Sequence, residues 1–247
     1  MATPQRRRRL RKTIALSVLA LLLLLVTCFL TYASLPTLAE PKPLAAVRDD
    51  PALRLRETGD AVVLTPTSGA SGTGIVFLSG AQIDPAAYAS KLSGIVDGGV
   101  TVVIARPILN LAILENRPLT TFTGLAPTVN RWYVAGHSLG GVRACQYAKD
   151  DYTVAGLILF GSYCGIDVSS TSIPVLSIGG SRDGLTTPSK IRSASHLLPV
   201  DATFITIPGA DHADFGDYGP QAGDLSSTTT DASVRSQIAN AVLGFVG

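Results

Sequence analysis

Cysteine is scarce in this sequence, so a single pair is available for an intramolecular disulfide in the main part of the chain. The 247 residues include three cysteines, and Cys28 lies within a long apolar run near the N-terminus. The other two, Cys145 and Cys164, can be joined only if their Cα atoms come within about 7 Å. Cys145 lies about two turns into the helix predicted after Ser138, roughly 10 Å along the helix axis at about 1.5 Å per residue. Cys164 follows the next predicted strand, so we expect it to lie near Ser138 and not near Cys145. We therefore expect two buried free thiols rather than a disulfide.

Positive charge is scarce beyond the first twelve residues. Six of the 20 Lys and Arg residues lie there, which leaves 14 basic against 18 acidic residues and a net charge of −4 for the remainder. The near-neutral balance of the whole chain therefore combines a basic N-terminus with a mildly acidic remainder. This distribution gives no indication of a nucleic-acid partner.

An uncharged run from Thr13 to Leu35 follows the basic residues. A run of about 20 apolar residues is long enough to cross a bilayer as a helix. Because basic residues favour the cytoplasmic side, we predict a cytoplasmic segment at 1–12, a transmembrane helix at 13–35 and an extracytoplasmic remainder. The alternative is a cleaved signal peptide and a secreted protein, since small residues occur at Tyr32-Ala33-Ser34. The run exceeds the usual signal-peptide core of about 7–15 residues, which favours a retained anchor in the cell membrane.

The rest of the chain divides into a short spacer and one domain. Residues 36–52 are rich in Pro and Ala, and we interpret them as an extended spacer. From residue 53 to 247, short β-branched runs alternate with helical stretches, and no internal repeat is found. This alternation predicts an α/β fold in which helices cover both faces of a mainly parallel sheet. In such sheets, ligands bind beyond the carboxyl ends of the strands.

A Gly-x-Ser-x-Gly motif lies where one of the predicted strands meets a helix. Its residues are Gly136-His137-Ser138-Leu139-Gly140. A serine at the tip of a sharp strand-to-helix turn needs a strained backbone, and side chains two residues away on either side would collide. The turn also leaves the amide of Leu139 unpaired at a helix N-terminus, where it can stabilise an oxyanion. The motif alone fits a nucleophilic Ser138 and also a glycine-rich connection with an incidental serine, so the choice depends on the partners that the rest of the chain offers.

Histidine is also scarce, so the base that such a serine requires can be sought by elimination. His137 lies within the motif itself, and we expect its side chain to point away from that of Ser138 and to pack in the interior. His196 lies within a predicted helix and is interpreted as a surface residue. His212 follows the strand predicted at Thr203–Ile207, which places it at the carboxyl edge of the sheet. We therefore predict that His212 is the base.

The base needs a carboxylate that fixes its tautomer. Asp183 follows the strand predicted at Val175–Ile178, and the chain order serine, aspartate, histidine is the order found in enzymes with this kind of turn. Asp167 is the alternative, and Asp183 is favoured because its strand immediately precedes that of the histidine. For the second oxyanion donor, the loop after Gly74–Leu78 offers the amide of Ala81, with that of Gln82 as the alternative.

Four stretches of the sequence form a recognisable combination. They are Gly80-Ala81-Gln82-Ile83-Asp84-Pro85-Ala86-Ala87-Tyr88, Gly136-His137-Ser138-Leu139-Gly140-Gly141, Gly180-Ser181-Arg182-Asp183-Gly184-Leu185 and His212-Ala213-Asp214-Phe215-Gly216-Asp217-Tyr218-Gly219. Through them the chain resembles the α/β-hydrolase superfamily over residues 61–247, and most closely a compact branch of presumed hydrolases. The resemblance implies a sheet of eight or slightly fewer strands, with Ser138, Asp183 and His212 as a catalytic triad. The chain differs from many esterases in having Ser79-Gly80 where they have a His-Gly pair.

These residues predict a membrane-anchored, extracytoplasmic serine hydrolase of the carboxylesterase or lipase-like kind. The segment from Gly161 to Pro174 is too short for a separate lid domain, so we expect an open cleft that takes a small or lipid-like ester. Attack by Ser138 on the acyl carbon would give an acyl-serine that water hydrolyses, with no metal or organic cofactor. Thioesterase, lactonase, peptidase and acyltransferase activities fit the same triad. A membrane-tethered binding protein without activity is the alternative of another class.

An acidic loop follows His212 and allows two interpretations. Asp214, Asp217 and Asp224 could hold a cation, or they could form a hydrogen-bonded turn that braces His212. The loop lacks the regular spacing of a calcium-binding loop. We therefore favour the bracing turn.

Overall fold

The structure is a computed structural model and describes residues 4–247. It divides into two compact units, of which one ends at Pro36 and the other is Thr37–Gly247. The helices are α1 Pro4–Ala33, α2 Pro41–Arg48, α3 Ala89–Asp97, α4 Thr120–Thr123, α5 Leu139–Asp150, α6 Pro188–Ala194 and α7 Asp231–Val246. The strands are β1 Leu53–Glu57, β2 Ala61–Pro66, β3 Thr73–Leu78, β4 Thr101–Ala105, β5 Arg131–His137, β6 Leu157–Phe160, β7 Val175–Gly180 and β8 Thr203–Ile207.

The first unit consists mainly of α1. Within it, Arg8–Ala33 includes a window with a mean hydropathy of 2.8, and this is the one helix among the described residues that is long and apolar enough to cross a membrane. Its length of 26 residues exceeds the roughly 20 that a bilayer requires. The span predicted at 13–35 overlaps this helix and extends two residues beyond its end.

The segment predicted to be an extended spacer is instead part of the second unit. Thr37 forms a parallel bridge with Ile83, and α2 follows four residues later. Pro41 begins that helix, because its fixed φ suits the first helical position and its missing N–H costs nothing there. Val47 on α2 is buried in the core. The Pro and Ala content that indicated a spacer was therefore misleading, since it also suits a short capped helix.

Eight strands form one sheet in the order β1-β2-β4-β3-β5-β6-β7-β8. β1 and β2 pair antiparallel with their neighbours, and all pairs from β4 to β8 are parallel. All six residues of β3 are buried, which requires cover on both faces. Ile75 and Phe77 face the core beneath α3 and α7, whereas Val76 and Leu78 face the core beneath α5. The predicted α/β fold with a mainly parallel sheet is confirmed.

Between β4 and α4 the chain forms two short 3-10 turns, at Ile108–Asn110 and Ala112–Leu114. Leu109 has a φ of 54° and Asn110 a φ of 55°. Both values lie in the left-handed region, which a right-handed helix cannot include. The two turns are therefore not parts of one continuous helix.

The two expected free thiols are joined, which corrects the prediction from the sequence. Cys145 on α5 and Cys164 form a disulfide with a Cα–Cα distance of 5.7 Å. The loop after β6 turns back along α5, so that Gly141 lies against Ser162 and Cys164 reaches the level of Cys145. The prediction placed Cys164 beside Ser138 and did not include the path of this loop back along α5.

Removing this disulfide is expected to destabilise the protein. The bridge closes a loop with a sequence separation of 19, and a loop of that size corresponds to about 3 kcal/mol of stability through the restricted unfolded chain. We expect the double variant Cys145→Ala/Cys164→Ala to lose about that much in urea unfolding of the detergent-solubilised protein. Cys28→Ala is the control, because Cys28 is an exposed free cysteine. Equal stability of the double variant and this control would contradict the expectation.

Candidate active site

Ser138 lies at the junction of β5 and α5 with a strained backbone. Its φ of 53° and ψ of −123° are unusual for any residue with a side chain. A Cβ on Gly136 would lie 2.3 Å from the carbonyl carbon of Gly140, and one on Gly140 would lie 2.0 Å from the carbonyl oxygen of Leu78. Side chains at both glycines are therefore excluded by backbone atoms, as the motif predicts. The side chain of Ser138 is half-buried and the next residue, Leu139, is exposed.

The strand and loop that follow α5 in the chain hold this turn in place. The amide of Ser138 donates to the carbonyl of Phe160 at the end of β6, over 3.1 Å. The hydroxyl of Ser162 donates to the carbonyl of Ser138 over 2.7 Å. Both backbone polar groups of Ser138 are therefore occupied, which holds the turn in its strained conformation.

Asp183 and His212 form a buried pair. The Oδ2 atom of Asp183 lies 2.8 Å from Nδ1 of His212, and both side chains are at most 1% exposed. The Oδ1 atom of Asp183 accepts the amides of Leu185 and Thr186, over 2.9 and 2.6 Å. These bonds restrict the rotation of the carboxylate. Because an ionised carboxylate can only accept hydrogen bonds, Nδ1 of His212 must carry the imidazole proton. This arrangement leaves Nε2 of His212 as a proton acceptor.

The structure brings two of the three predicted residues into direct contact. Nε2 of His212 is buried and has no hydrogen-bond partner among residues 4–247. The neighbour of Ser138, His137, has its ring centroid 4.4 Å from that of His212. The serine turn and His212 are thus adjacent, and within residues 4–247 no hydrogen bond joins Ser138 to Nε2 of His212.

His137 is fully buried beneath the turn, in keeping with the packing role expected for it. Its Nδ1 atom lies 3.0 Å from the hydroxyl of Tyr88, and that hydroxyl accepts the amide of Gly80 over 2.9 Å. The hydroxyl proton is therefore directed to Nδ1, which places the imidazole proton on Nε2. Burial, together with the nearby His212, lowers the pKa of His137 well below its usual value. Nothing in the sequence alone indicated the role of Tyr88.

Two backbone amides were predicted as oxyanion donors, and their hydrogen bonding differs from that of their neighbours. Leu139 is the first residue of α5, where an amide has no partner within the helix. In the loop after β3, the amide of Gly80 is bonded to Tyr88 and that of Gln82 to the carbonyl of Asn110, over 2.8 Å. Among the described residues, the amide of Ala81 between them makes no backbone hydrogen bond. Of the two amides predicted for this role, that of Gln82 is therefore occupied and that of Ala81 has no backbone partner.

Asp224 connects the loop of Asp183 to the loop of His212. Its Oδ1 accepts the amide of Gly184 over 2.8 Å, and its Oδ2 accepts the amides of His212 and Ala213 over 2.7 and 3.1 Å. One carboxylate therefore fixes the spacing of two loops that come from different strands. The bracing turn expected after His212 is present, although no pattern in the sequence indicated that it also reaches the aspartate loop.

The other acidic residues of that loop are engaged in structural contacts. Asp217 pairs over 3.2 Å with the fully buried Lys91 on α3, and Asp211 and Asp214 accept each other's amides. Burial raises the pKa of Asp217, and Lys91 opposes that effect. No group of three or more possible metal ligands occurs within the described part of the chain.

The two rejected candidates are held by local contacts of their own. The carboxylate of Asp167 accepts the amide of Ser169 over 2.9 Å, and hydrogen bonding to Ser169 lowers the pKa of this exposed group. His196 is exposed, and its Nδ1 lies 2.8 Å from the carbonyl of Ser193. The histidine that pairs with a buried aspartate is therefore His212, and that aspartate is Asp183.

A strained serine at a strand-to-helix turn, with an aspartate–histidine pair at the same edge of a mainly parallel sheet, defines the class of α/β-hydrolase folds. The sequence profile described as the alpha/beta hydrolase family matches residues 74–236, and the chain belongs to this family. Among solved structures, it is similar to a dienelactone hydrolase-like promiscuous phosphotriesterase from metagenomic libraries, with 15% identity and a TM-score of 0.55. That alignment covers 78% of this chain and 98% of the other, and it supports the fold alone. A search of curated proteins gave no significant match.

Replacing Asp224 is expected to impair hydrolase activity, although Asp224 is not one of the predicted catalytic residues. In Asp224→Asn, an NH2 group replaces one carboxylate oxygen and faces the backbone amides of either Gly184 or His212. Two donors cannot bond to each other, so the loops of Asp183 and His212 would shift. Because small displacements of reacting groups are costly, we expect kcat/KM for a p-nitrophenyl ester to fall by about tenfold to a hundredfold. Asp201→Asn is the matched control, since Asp201 is exposed. Equal activity of the two variants would exclude a positioning role.

His137 is expected to make the protein less stable in mild acid. Since the folded protein keeps His137 neutral, the unfolded chain binds one more proton below about pH 6.5, and its contribution to stability is lost as the pH falls. The loss is about 1.4 kcal/mol per pH unit below about pH 6.5. We expect His137→Phe to reduce the difference between urea unfolding at neutral and at mildly acidic pH. His196→Gln should leave that difference unchanged, because His196 is exposed. A parallel pH dependence in wild type and His137→Phe would contradict this.

Proposed function

We propose that this protein is a membrane-anchored, extracytoplasmic serine hydrolase that acts on carboxylic esters through an acyl-serine intermediate. The observation that carries the proposal is the strained turn at Ser138 beside the buried pair of Asp183 and His212. A serine hydroxyl is a weak nucleophile unless a base removes its proton. The free Nε2 of His212 is the base that the chain offers at this edge of the sheet.

In the proposed acylation step, Nε2 of His212 takes the proton of the Ser138 hydroxyl while the oxygen attacks the acyl carbon. The carbonyl oxygen becomes an oxyanion, which the amides of Leu139 and Ala81 stabilise. Collapse of this intermediate breaks the ester bond, and the alcohol leaves with the proton from His212. Asp183 keeps the imidazole in the required tautomer and stabilises its positive charge during both transfers.

Water completes the cycle in the second half of the reaction. His212 takes a proton from water, and the hydroxide attacks the acyl-serine through the same oxyanion site. The acid product then leaves as the proton returns to Ser138. The loop Gly161–Pro174 contains no helix or strand that could cover the serine, and Leu139 is exposed. This supports an open site that accepts a small or extended ester.

Two features support the proposed location. The helix Arg8–Ala33 is apolar and long enough to cross a membrane, with basic residues before it. The disulfide between Cys145 and Cys164 is of the kind that persists outside the reducing cytoplasm. Residues 1–12 would then be cytoplasmic and the hydrolase domain extracytoplasmic. The alternative is a secreted protein, released by cleavage near Tyr32-Ala33-Ser34, which would contain the same disulfide.

Loss of the Ser138 hydroxyl is expected to abolish both covalent labelling and turnover. We expect a fluorophosphonate probe to label wild type but not Ser138→Ala, and kcat to fall at least about a thousandfold. His212→Gln should show a comparable loss, because it removes the base. His196→Gln is the matched control and should retain activity, since His196 is exposed. Ester hydrolysis that survives in Ser138→Ala would refute the mechanism, whereas absence of labelling in wild type would favour a binding protein.

A further inference from the structure

The chain enters the hydrolase domain at the loop that carries a proposed oxyanion donor. Thr37 is the first residue of this domain. Its amide donates to the carbonyl of Gln82 over 2.7 Å, and its carbonyl accepts the amide of Asp84 over 2.9 Å. Gln82 directly follows Ala81 in the chain. The entry point of the domain and the proposed oxyanion site are therefore held together by backbone hydrogen bonds.

Very little chain separates this entry point from the apolar helix. The helix ends at Ala33, so residues 34–36 alone connect it to Thr37. Even when fully extended, four residue steps cover at most about 14 Å. If the helix crosses a membrane, covalent reach alone keeps Thr37, and with it the loop of Ala81, close to the membrane surface.

Large apolar side chains are exposed on the segments that meet at this loop. Leu38 follows Thr37 and is 68% exposed, and Ile113 is 51% exposed. We call the exposed set the apolar rim; it consists of Leu38, Ile108, Ile113, Leu114 and Leu139. A group of exposed apolar residues around a reactive centre is typical of a surface that binds an apolar partner.

Hydrogen bonds hold the turn that carries Ile108 against the loop of Ala81. The amide of Gln82 donates to Asn110, and its side-chain amide donates to Leu109 over 3.2 Å, so the turn that begins at Ile108 lies against the loop of Ala81. Gln82, Leu109 and Asn110 all have positive φ, between 54° and 59°. Three strained residues that bond to one another are typical of a functional surface rather than of a neutral loop.

We propose that the apolar rim docks on the bilayer and that the substrate is a lipid ester, which reaches Ser138 from the membrane. The proposal rests on the proposed ester hydrolysis and adds its substrate class. The occupant is a bilayer rather than a protein because three residues connect the domain to an apolar helix. Long acyl chains, which water excludes, would then move along the apolar rim to the serine without entering water.

Docking can be measured without reference to catalysis. The chain has a single tryptophan, so Trp132→Phe provides a background in which Ile113→Trp reports on the apolar rim. Val200→Trp is the matched control, because Val200 is fully exposed and precedes β8, at the amino ends of the parallel strands, whereas Ile113 follows the carboxyl end of β4. The full-length variants are reconstituted in vesicles of phosphatidylcholine with brominated acyl chains. We expect bromine to quench the fluorescence of the Ile113→Trp variant by at least about half and to leave that of the Val200→Trp variant unchanged, since bromine quenches only at contact with the acyl region.

The tether can be tested separately with a flexible insert between Pro36 and Thr37. An insert of about 20 Gly and Ser residues adds an r.m.s. span of about 25 Å. We expect hydrolysis of dioleoylglycerol in phosphatidylcholine vesicles to fall by about tenfold, because the effective concentration of the site at the surface falls. Hydrolysis of soluble p-nitrophenyl acetate by the same variant should stay within about twofold of wild type, because that ester does not depend on the surface.

The possible outcomes separate this proposal from the one on which it rests. Quenching in the Ile113→Trp variant alone, together with selective loss of dioleoylglycerol hydrolysis in the tether variant, supports docking. Equal quenching in both tryptophan variants, quenching in neither, or equal loss of both activities overturns it. If wild type hydrolyses neither ester, the proposed esterase activity fails, whereas the quenching result still decides whether the apolar rim meets the membrane.

Discussion

The candidate site depends on one close backbone approach, between the end of β3 and the start of α5. Gly140 lies so near the carbonyl of Leu78 that a Cβ there would come within 2.0 Å of the oxygen. This contact sets the first turn of α5 against the loop that begins after Leu78. Since one proposed oxyanion donor lies on α5 and the other in that loop, their separation is fixed by main-chain packing. The close packing at Gly136 and Gly140 therefore sets the distance between the two donors before any side-chain interaction contributes.

A set of buried and half-buried polar side chains beneath this contact connects the loops that follow β3, β7 and β8. The Tyr88 hydroxyl joins the amide of Gly80 to His137, whose ring lies against that of His212. Asp224 joins the loop of His212 to that of Asp183. The network therefore favours one relative position of the three loops over its alternatives.

The sequence predicted the sheet and the strand-end positions well, because both follow from local patterns. Apolar runs bounded by turn residues indicate where strands end, and Ser138, Asp183 and His212 each lie just beyond such an end. Features that depend on how distant segments meet were missed. The disulfide of Cys145 required the path of the loop after β6, and the Pro-rich entry to the domain required its contact with Ile83. The roles of Tyr88 and the reach of Asp224 likewise arise from tertiary packing alone.

The backbone of Ser138 also bears on how such a protein can change over time. A residue with a side chain at a φ of 53° and a ψ of −123° costs about 1–3 kcal/mol, which glycine would largely avoid. The fold would thus be more stable with glycine in place of the proposed nucleophile. Selection for stability alone would remove this serine, so its retention in a lineage would itself measure how strongly the activity is selected.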